Sequence, residues 1–584
     1  MDTTAGNDVE SDQDHDPGEV LLDVRPLIER GEEPFGTIMQ TVATLDGRSL
    51  LLVAPFEPTP LQGVLSAQGF TYSSERVNET EWRVRFEPGD QPGDTAPAPT
   101  AAPTDPTNRT AAPAPPAESP FTIKRRPPTA APATTATPAA PGPGSPSPPV
   151  LPPTAMAMNP TLNVPPAWLP LGFMAAAGVG LVGFGIAVMV TAPTAVLSPR
   201  ADHVITAVHL GVLAFLSTAV LGALHQFGPV VGAKPLRSVP AGALTWLLFV
   251  PGVWLIPIGF ATGHTGVLQT GGVLATTAVC IAAWNLSRPL SATGKGAPII
   301  GLRLAVVYLV ATVAFGIVYA FDRSSFWFAL LPNRVLAHAH LGLLGWLGLS
   351  YVAVAEKLWP MFLLAHRPHV RDGERAVWLV GAGAPTVAIG LLFDSKPLTI
   401  AGAVLVLVGL GFHLASLASV IRRRRRGLEL LHGFVLASAA CLVTAMALGV
   451  IAGVAPMDAG TRQRLVAAEV FSAILWLALA VIGHSHKIVP FISWNRLRDR
   501  GITTGRDGRP LLFSHLVDAT VAKLTFGLAI LGAATGVVGA LTGTAIVVRV
   551  AGVALAITGL TATANLVSGP LLMIRWHERR ASTL

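Results

Sequence analysis

The amino-acid sequence predicts a mainly α-helical membrane protein preceded by a small α/β sandwich. Three observations carry that prediction. Charged residues make up only 13% of the 584 and the mean hydropathy is +0.54, so a bilayer must solvate most of the chain. Residues 166–584 gather their apolar side chains into twelve runs of spanning length. Residues 20–88 instead carry short strand-sized and helix-sized patterns separated by turn residues.

The opening "MDTTAGNDVESDQDHDPGEV" is acidic and lacks an apolar core, so residues 1–19 read as a disordered tail, not a cleaved signal. Next, "VLLDVRPL" reads as a strand, "EPFGTIMQTVATL" as an amphipathic helix and "SLLLVAPF" as a second strand. "TPLQGVLSAQGF" supplies a second helix, and "TYSSERV" and "EWRVRFE" two further strands. The order βαβαββ makes a two-layer sandwich over 20–88. Residues 89–165, with stretches such as "PAPTAAPTDPTNRTAAPAPPAESP", hold too little apolar bulk to offset ordering entropy and read as a disordered tether.

The twelve runs cover roughly 167–192, 202–229, 241–262, 265–287, 298–321, 333–359, 375–393, 397–421, 430–455, 463–491, 515–541 and 544–573, each near the ~20 residues that cross a hydrocarbon core. Basic residues concentrate after even-numbered spans: Lys234 and Arg237, Lys295, Arg367 with Arg371 and Arg375, Arg422 to Arg426, then Arg496, Arg498, Arg500, Arg506 and Arg509. By the positive-inside rule both termini face the cytoplasm, and the small domain hangs there. The net charge of +7 is thus an orienting signal beside a lipid bilayer; nucleic acid is excluded as a partner. Cys280 and Cys441 sit in apolar runs, which excludes a disulfide framework or a CxxC site.

Histidines are the residues that ask for a function. This topology puts His209, His338 and His340 about two turns below the outer face, and His432, His484 and His486 near the inner face, with His413 close to that level. His225 lies four turns beyond His209. Residues two apart point roughly 200° apart on a helix, so His338 and His340, like His484 and His486, serve opposite sides. Imidazole is a common ligand of haem iron and copper, which makes His209, His338, His340, His432 and His484 candidate cofactor ligands and His209, His338, His340, His484 and His486 candidate metal ligands. Gly342, Gly345 and Gly348 make a smooth strip where a porphyrin or another helix can approach. Glu469, Asp518, Lys523 and Arg549 fall inside apolar runs and mark either ion pairs or a pathway.

Two resemblances sharpen these expectations. With "LDVRPL" opening the first strand and "WRVRF" closing the last, the N-terminal domain resembles the sulfur-carrier (TusA-like) fold and an uncharacterised domain family close to it. Sulfur carriers place Cys-Pro at the first helix; here that position reads "GEEPF", which implies a regulatory or docking role and no persulfide transfer. In the membrane part, "HLGVLAFLSTAVLGALHQFGPVV", "HAHLGLLGWLGL" and "GHSHKIVPF" resemble divergent bacterial relatives of haem-copper oxidase subunit I, including NnrS-like proteins. The resemblance implies haem b, and copper beside it, on His209, His338, His340, His432 and His484. Span 7, "RAVWLVGAGAPTVAIGLLFD", lacks the family's copper histidines and Tyr351 lies three turns beyond His340, so no complete dioxygen-reducing centre is expected. The expected function is an inner-membrane haem or copper protein, redox or nitric-oxide and metal-stress related, with an electron donor and a cytosolic partner. A secondary transporter of a metal or small anion, and a membrane anchor or sensor for the N-terminal domain, are the competing classes.

Overall fold

The computed structural model describes residues 19–29, 34–66, 68–78, 81–88, 165–198, 201–293, 296–365 and 370–583. The acidic tail, the Pro/Ala-rich tether to residue 164, Lys295 and Arg367 lie outside the described residues. Two units divide the chain, 1–158 and 159–584.

In the first unit a four-stranded sheet has the order β1-β2-β4-β3, with β1 (Glu19–Asp23), β2 (Ser49–Ala54), β3 (Phe70–Asn78) and β4 (Glu81–Pro88). β1 runs parallel to β2, while β4 pairs antiparallel with both β2 and β3. Leu50 and Leu52 of β2 and Val84 and Phe86 of β4 point to one face by strand alternation. There they pack with Ile38 from the helix α2 (Phe35–Val42) and with Leu61 and Leu65 from α3 (Thr59–Ser66), which is the expected two-layer sandwich. One element differs from expectation: Arg25–Glu29 is a short helix, not the end of a strand. Pro26 has no N–H for a ladder and a φ suited to a first helical turn, and Asp23 turns the chain by accepting from the Arg25 amide at 2.9 Å.

Asp23 also grips the Arg25 guanidinium at 2.6 Å, and Arg25 reaches Glu81 at 2.8 Å. Burial alone would raise the Asp23 carboxyl, yet the hydrogen bonds and charge of Arg25 outweigh it and hold the group below the usual carboxylate range. A carboxyl depressed by folding stabilises above its unfolded value and loses that contribution as pH falls through its folded value. Asp23→Asn in the isolated N-terminal unit should therefore lower stability at pH 7, with the gap to the parent closing below about pH 4; urea melts across pH 2–7 check this, and a pH-independent gap would refute it.

In the second unit twelve helices have the length and composition to cross a membrane: Trp168–Ala195, Asp202–Gly232, Val239–Thr262, Thr265–Leu290, Gly296–Ser325, Pro332–Leu363, Arg371–Leu392, Lys396–Arg422, Leu430–Val454, Ala459–Asp499, Ala519–Thr542 and Ala545–Arg579. Each coincides with one expected run, and they are called spans 1–12 here. Spans 3 and 4, 7 and 8, 9 and 10, and 11 and 12 pack side by side, and span 12 returns beside span 1. Small residues allow the closest approaches: a methyl on Gly185 would overlap the Ala556 backbone, and one on Gly552 the Met189 backbone. Spans 2, 6 and 10 meet one another in the middle.

Two of these central helices are not regular. Immediately after His209, residues Leu210–Ser217 widen into a π-helix, and immediately after His340, Leu341–Gly348 do the same. Ser217 and Thr218 donate their hydroxyls to carbonyls five residues back, Val212 at 2.7 Å and Leu213 at 2.9 Å. Trp346 Nε1 then donates to Ser217 Oγ at 3.0 Å, tying one π segment to the other.

Of the two approaches the strip Gly342, Gly345 and Gly348 allowed, the helical one is found: Thr312, Tyr308 and Trp476 respectively lie against it. One expectation is corrected. Asp518, Lys523 and Arg549 are exposed on the unit, and Asp518 is the N-cap of span 11, accepting from Thr520 and Val521 amides at 2.8 and 3.0 Å; the apolar run concealed a helix start. Replacing Gly552 by Leu should cost about 1–3 kcal/mol through overpacking, read as a lower thermal melt of detergent-solubilised protein; an unchanged melt would show that the span 1–span 12 contact is dispensable.

Candidate functional site: histidines of the central spans

The imidazoles share one local device. In a helix the carbonyl four residues back lies beside a side chain's Cβ, and a carbonyl can only accept. Nδ1 donates to it in His209 (Ile205, 2.9 Å), His225 (Leu221, 2.8 Å), His340 (Leu336, 2.8 Å), His484 (Ala480, 2.7 Å) and His486 (Ile482, 2.8 Å). With the hydrogen held on Nδ1, a neutral ring presents Nε2 as a bare lone pair. In His225, His484 and His486 that Nε2 is buried and meets no protein partner.

At the end of the bundle where spans 2 and 6 begin, His209 and His338 lie close enough to interact electrostatically. His209 leans on Phe260 at 5.1 Å between ring centres. His338 meets the edge of Tyr319 at 6.0 Å, and its Nδ1 is buried without a hydrogen-bond partner. His340 keeps its Nδ1 on its own helix, so the pair at 338 and 340 diverges as the helical spacing requires.

A second group forms where spans 8 and 10 approach span 9, with Tyr351 of span 6 as its hub. The Tyr351 ring stands edge-on to His413 (5.5 Å), Trp476 (5.9 Å) and His484 (6.1 Å). Glu356, one helical turn and a half further on, has one carboxylate oxygen accepting from Ser416 Oγ at 2.8 Å and the other 3.6 Å from His413 Nδ1. His432 of span 9 interacts with His484 and meets the edge of Trp359 at 5.7 Å. Beside them buried Lys487 donates to both oxygens of Glu429, at 2.9 and 3.2 Å, and lies over the Phe362 ring.

This group carries an unusual density of buried polar atoms without a protein partner: both nitrogens of His413, Nε2 of His432 and of His484, the Tyr351 hydroxyl, Trp359 Nε1, Glu356 Oε1 and Ser419 Oγ. Each such atom costs about 1–3 kcal/mol unless water, an ion or a ligand meets it. The Tyr351 hydroxyl lies near Ser438 and Trp359 without hydrogen-bond geometry to either. His432 differs from the others. Its Nδ1 accepts the Glu429 amide at 2.7 Å, so its neutral ring carries the hydrogen on Nε2 and offers a donor where a ligand lone pair was expected.

The candidate residues therefore sort into three places. His209 and His338 come together, with His340 beside them on the diverging face. His432 and His484 come together with His413 and Tyr351, which the sequence reading had not put among its sites. His486 turns away from His484 and stacks on Phe434 at 5.6 Å, as His225 stacks on Phe173 at 5.4 Å. Near His225, Gln226 Oε1 and Asn285 Nδ2 are also buried without partners. Among the described residues no three His, Cys, Asp or Glu side chains converge to hold one metal ion.

One overlooked residue, Glu356, had a signal in the sequence. Phe215, Trp346 and Trp476 are each followed ten residues later by His225, Glu356 and His486, and four residues after that by Pro229, Pro360 and Pro490, so Glu356 stands at the spacing where the other two spans carry histidine.

Residues 21–88 match the family described as "Uncharacterized conserved protein (DUF2249)". The match ends at the last residue of β4, so the DUF2249 domain and the first structural sheet coincide. The domain contains no cysteine, and the chain's two thiols lie in spans 4 and 9. No curated protein matches the chain.

Native proteins satisfy their buried hydroxyls, so Tyr351→Phe, which keeps every ring contact, should lower the thermal stability of the purified protein by about 1 kcal/mol. A variant more stable than the parent would mean that the hydroxyl has no partner of any kind.

Proposed function

We propose that the membrane unit is a haem-binding redox protein whose iron ligands come from imidazoles with a fixed Nδ1–H and a bare Nε2. The observation that carries this reading is the buried, unpartnered Nε2 of His225, His484 and His486, each ring already oriented by a backbone carbonyl. Histidines that bind metals are held in this way by a second hydrogen bond on the far nitrogen. His209 and His340 share the device, with rings only half buried, and stand as a second pair of candidates. His338 keeps its place beside them; His432 would act as an N–H donor beside His484. Bound haem would supply reversible one-electron chemistry. Around such a group Trp359, Trp476 and Phe362 would exclude water, with Glu356 and His413 lying 3.6 Å apart nearby.

Copper, the second expected cofactor, would draw on the same bare Nε2 atoms; among the described residues no three His, Cys, Asp or Glu side chains group around one ion. The basic loops orient both termini to the cytoplasm of a bacterial inner membrane, where the DUF2249 domain would meet an electron donor or another cytosolic partner.

Detergent-solubilised protein from haem-replete cells should show a Soret band that shifts on dithionite reduction. His484→Ala and His225→Ala should each remove at least half of the haem by pyridine haemochrome, while His264→Ala at a span end should not. A colourless, correctly folded protein would end this reading. One observation favours a second: the buried His413–Glu356 pair, with Lys487 bonded to the exposed Glu429 near it, suits an ion path in a transporter. Proton- or ion-coupled uptake into proteoliposomes by that colourless protein would support it.

A further inference from the structure

Spans 1, 2, 10 and 12 enclose a cavity of about 490 Å³. It falls in the range of small-molecule sites. Its body is apolar because the helices present small residues there: Gly172 and Ala175 on span 1 and Ala219 on span 2 leave the space that larger side chains would fill. Ser485 lines it but donates its hydroxyl to the Val481 carbonyl at 2.7 Å, so it adds little polarity. No acidic side chain lines the cavity.

All the lining charge is at one end. Arg496 and Arg500, one helical turn apart at the close of span 10, both line the cavity and both are exposed. Neither makes an ion pair with a carboxylate among the described residues. Trp168, at the start of span 1, lines the same end and is itself exposed, as an interfacial tryptophan is. Val567 and Leu571 line the cavity and are exposed, so it opens sideways toward lipid. From Val481 to Arg496 the wall rises about 22 Å, which carries it past the midplane of a ~30 Å hydrocarbon core.

We infer that this cavity is a binding site for an anionic amphiphile, with the acyl chain among the small residues of spans 1, 2 and 12 and the phosphate or carboxylate head on Arg496 and Arg500. Two guanidinium groups at the end of an apolar slot match such a molecule in both charge and length. A neutral amphiphile would leave the two arginines without a counter-charge, and a soluble anion would leave the apolar wall uncovered. The inference does not rest on the haem reading: no histidine lines the cavity, although Ser485 on its wall lies between His484 and His486.

The test uses the full-length protein, delipidated in detergent and titrated with phosphatidylglycerol, phosphatidylcholine or oleate, with binding read by native mass spectrometry and thermal shift. Phosphatidylglycerol should bind and raise the melting temperature while phosphatidylcholine does not. Oleate binding as well as phosphatidylglycerol would assign the site to the free acid, and weaker oleate binding would assign it to the bilayer phospholipid. Arg496→Gln with Arg500→Gln should weaken phosphatidylglycerol roughly thirtyfold, and the double lysine variant should restore most of it. Ala175→Phe, a change at an exposed position of span 1, should block the chain and abolish binding with both arginines intact. Equal binding of phosphatidylglycerol and phosphatidylcholine, or a glutamine variant that keeps the preference, would overturn the inference.

Discussion

A polar atom inside a bilayer has no water to fall back on, and the membrane unit is organised around that constraint. Backbone groups meet it by forming helices. Serine and threonine hydroxyls meet it by donating to carbonyls of their own helix, as Thr191, Thr245 and Thr558 do at 2.8–2.9 Å. Imidazole has two nitrogens and a helix carbonyl occupies only one. The second is a liability that must be met by another group, and it is what makes these histidines chemically available.

The π segments follow from the same problem. Widening the helix after His209 brings the Ser217 and Thr218 hydroxyls onto the Val212 and Leu213 carbonyls, beside the backbone bond from Thr218 to Leu213. Widening also rotates everything beyond the widened turn, so that Trp346 reaches Ser217 across the interface and Tyr351 points toward His413 and His484. π-helical turns recur at functional sites for this reason: they re-aim side chains that a regular helix would send elsewhere. Glu356 and His413 then occupy a position of mutual need, a carboxylate with one oxygen bonded and a ring with neither nitrogen bonded, 3.6 Å apart.

The N-terminal domain obeys ordinary aqueous rules. Its core is a handful of aliphatic residues and Phe86 between two helices and a sheet, and its edge strand β3 carries Ser, Glu, Arg and Asn side chains that discourage further strand pairing. Without a cysteine it has no thiol chemistry of its own, and the part-buried Arg25 ties Asp23 to Glu81 across the sheet.

The βαβαββ sandwich and all twelve spans were legible in the sequence, because alternation and apolar run length are local consequences of pleat and bilayer thickness. The divergence of His338 from His340 was legible too, being a property of one helix. What escaped was anything that depends on a second helix: that Thr312, Tyr308 and Trp476 would fill the glycine strip, that Asp518 would cap span 11 at an exposed end, and that His413 and Glu356 would join Tyr351. Run length records how much of a helix is apolar, yet it carries no phase between helices, and the two π segments shift that phase within a single span. By itself, then, the sequence determined which segments enter the membrane and which imidazoles travel with them. Only the tertiary structure decided which of their nitrogens face one another, since that depends on helix rotation and packing contacts summed over the whole bundle.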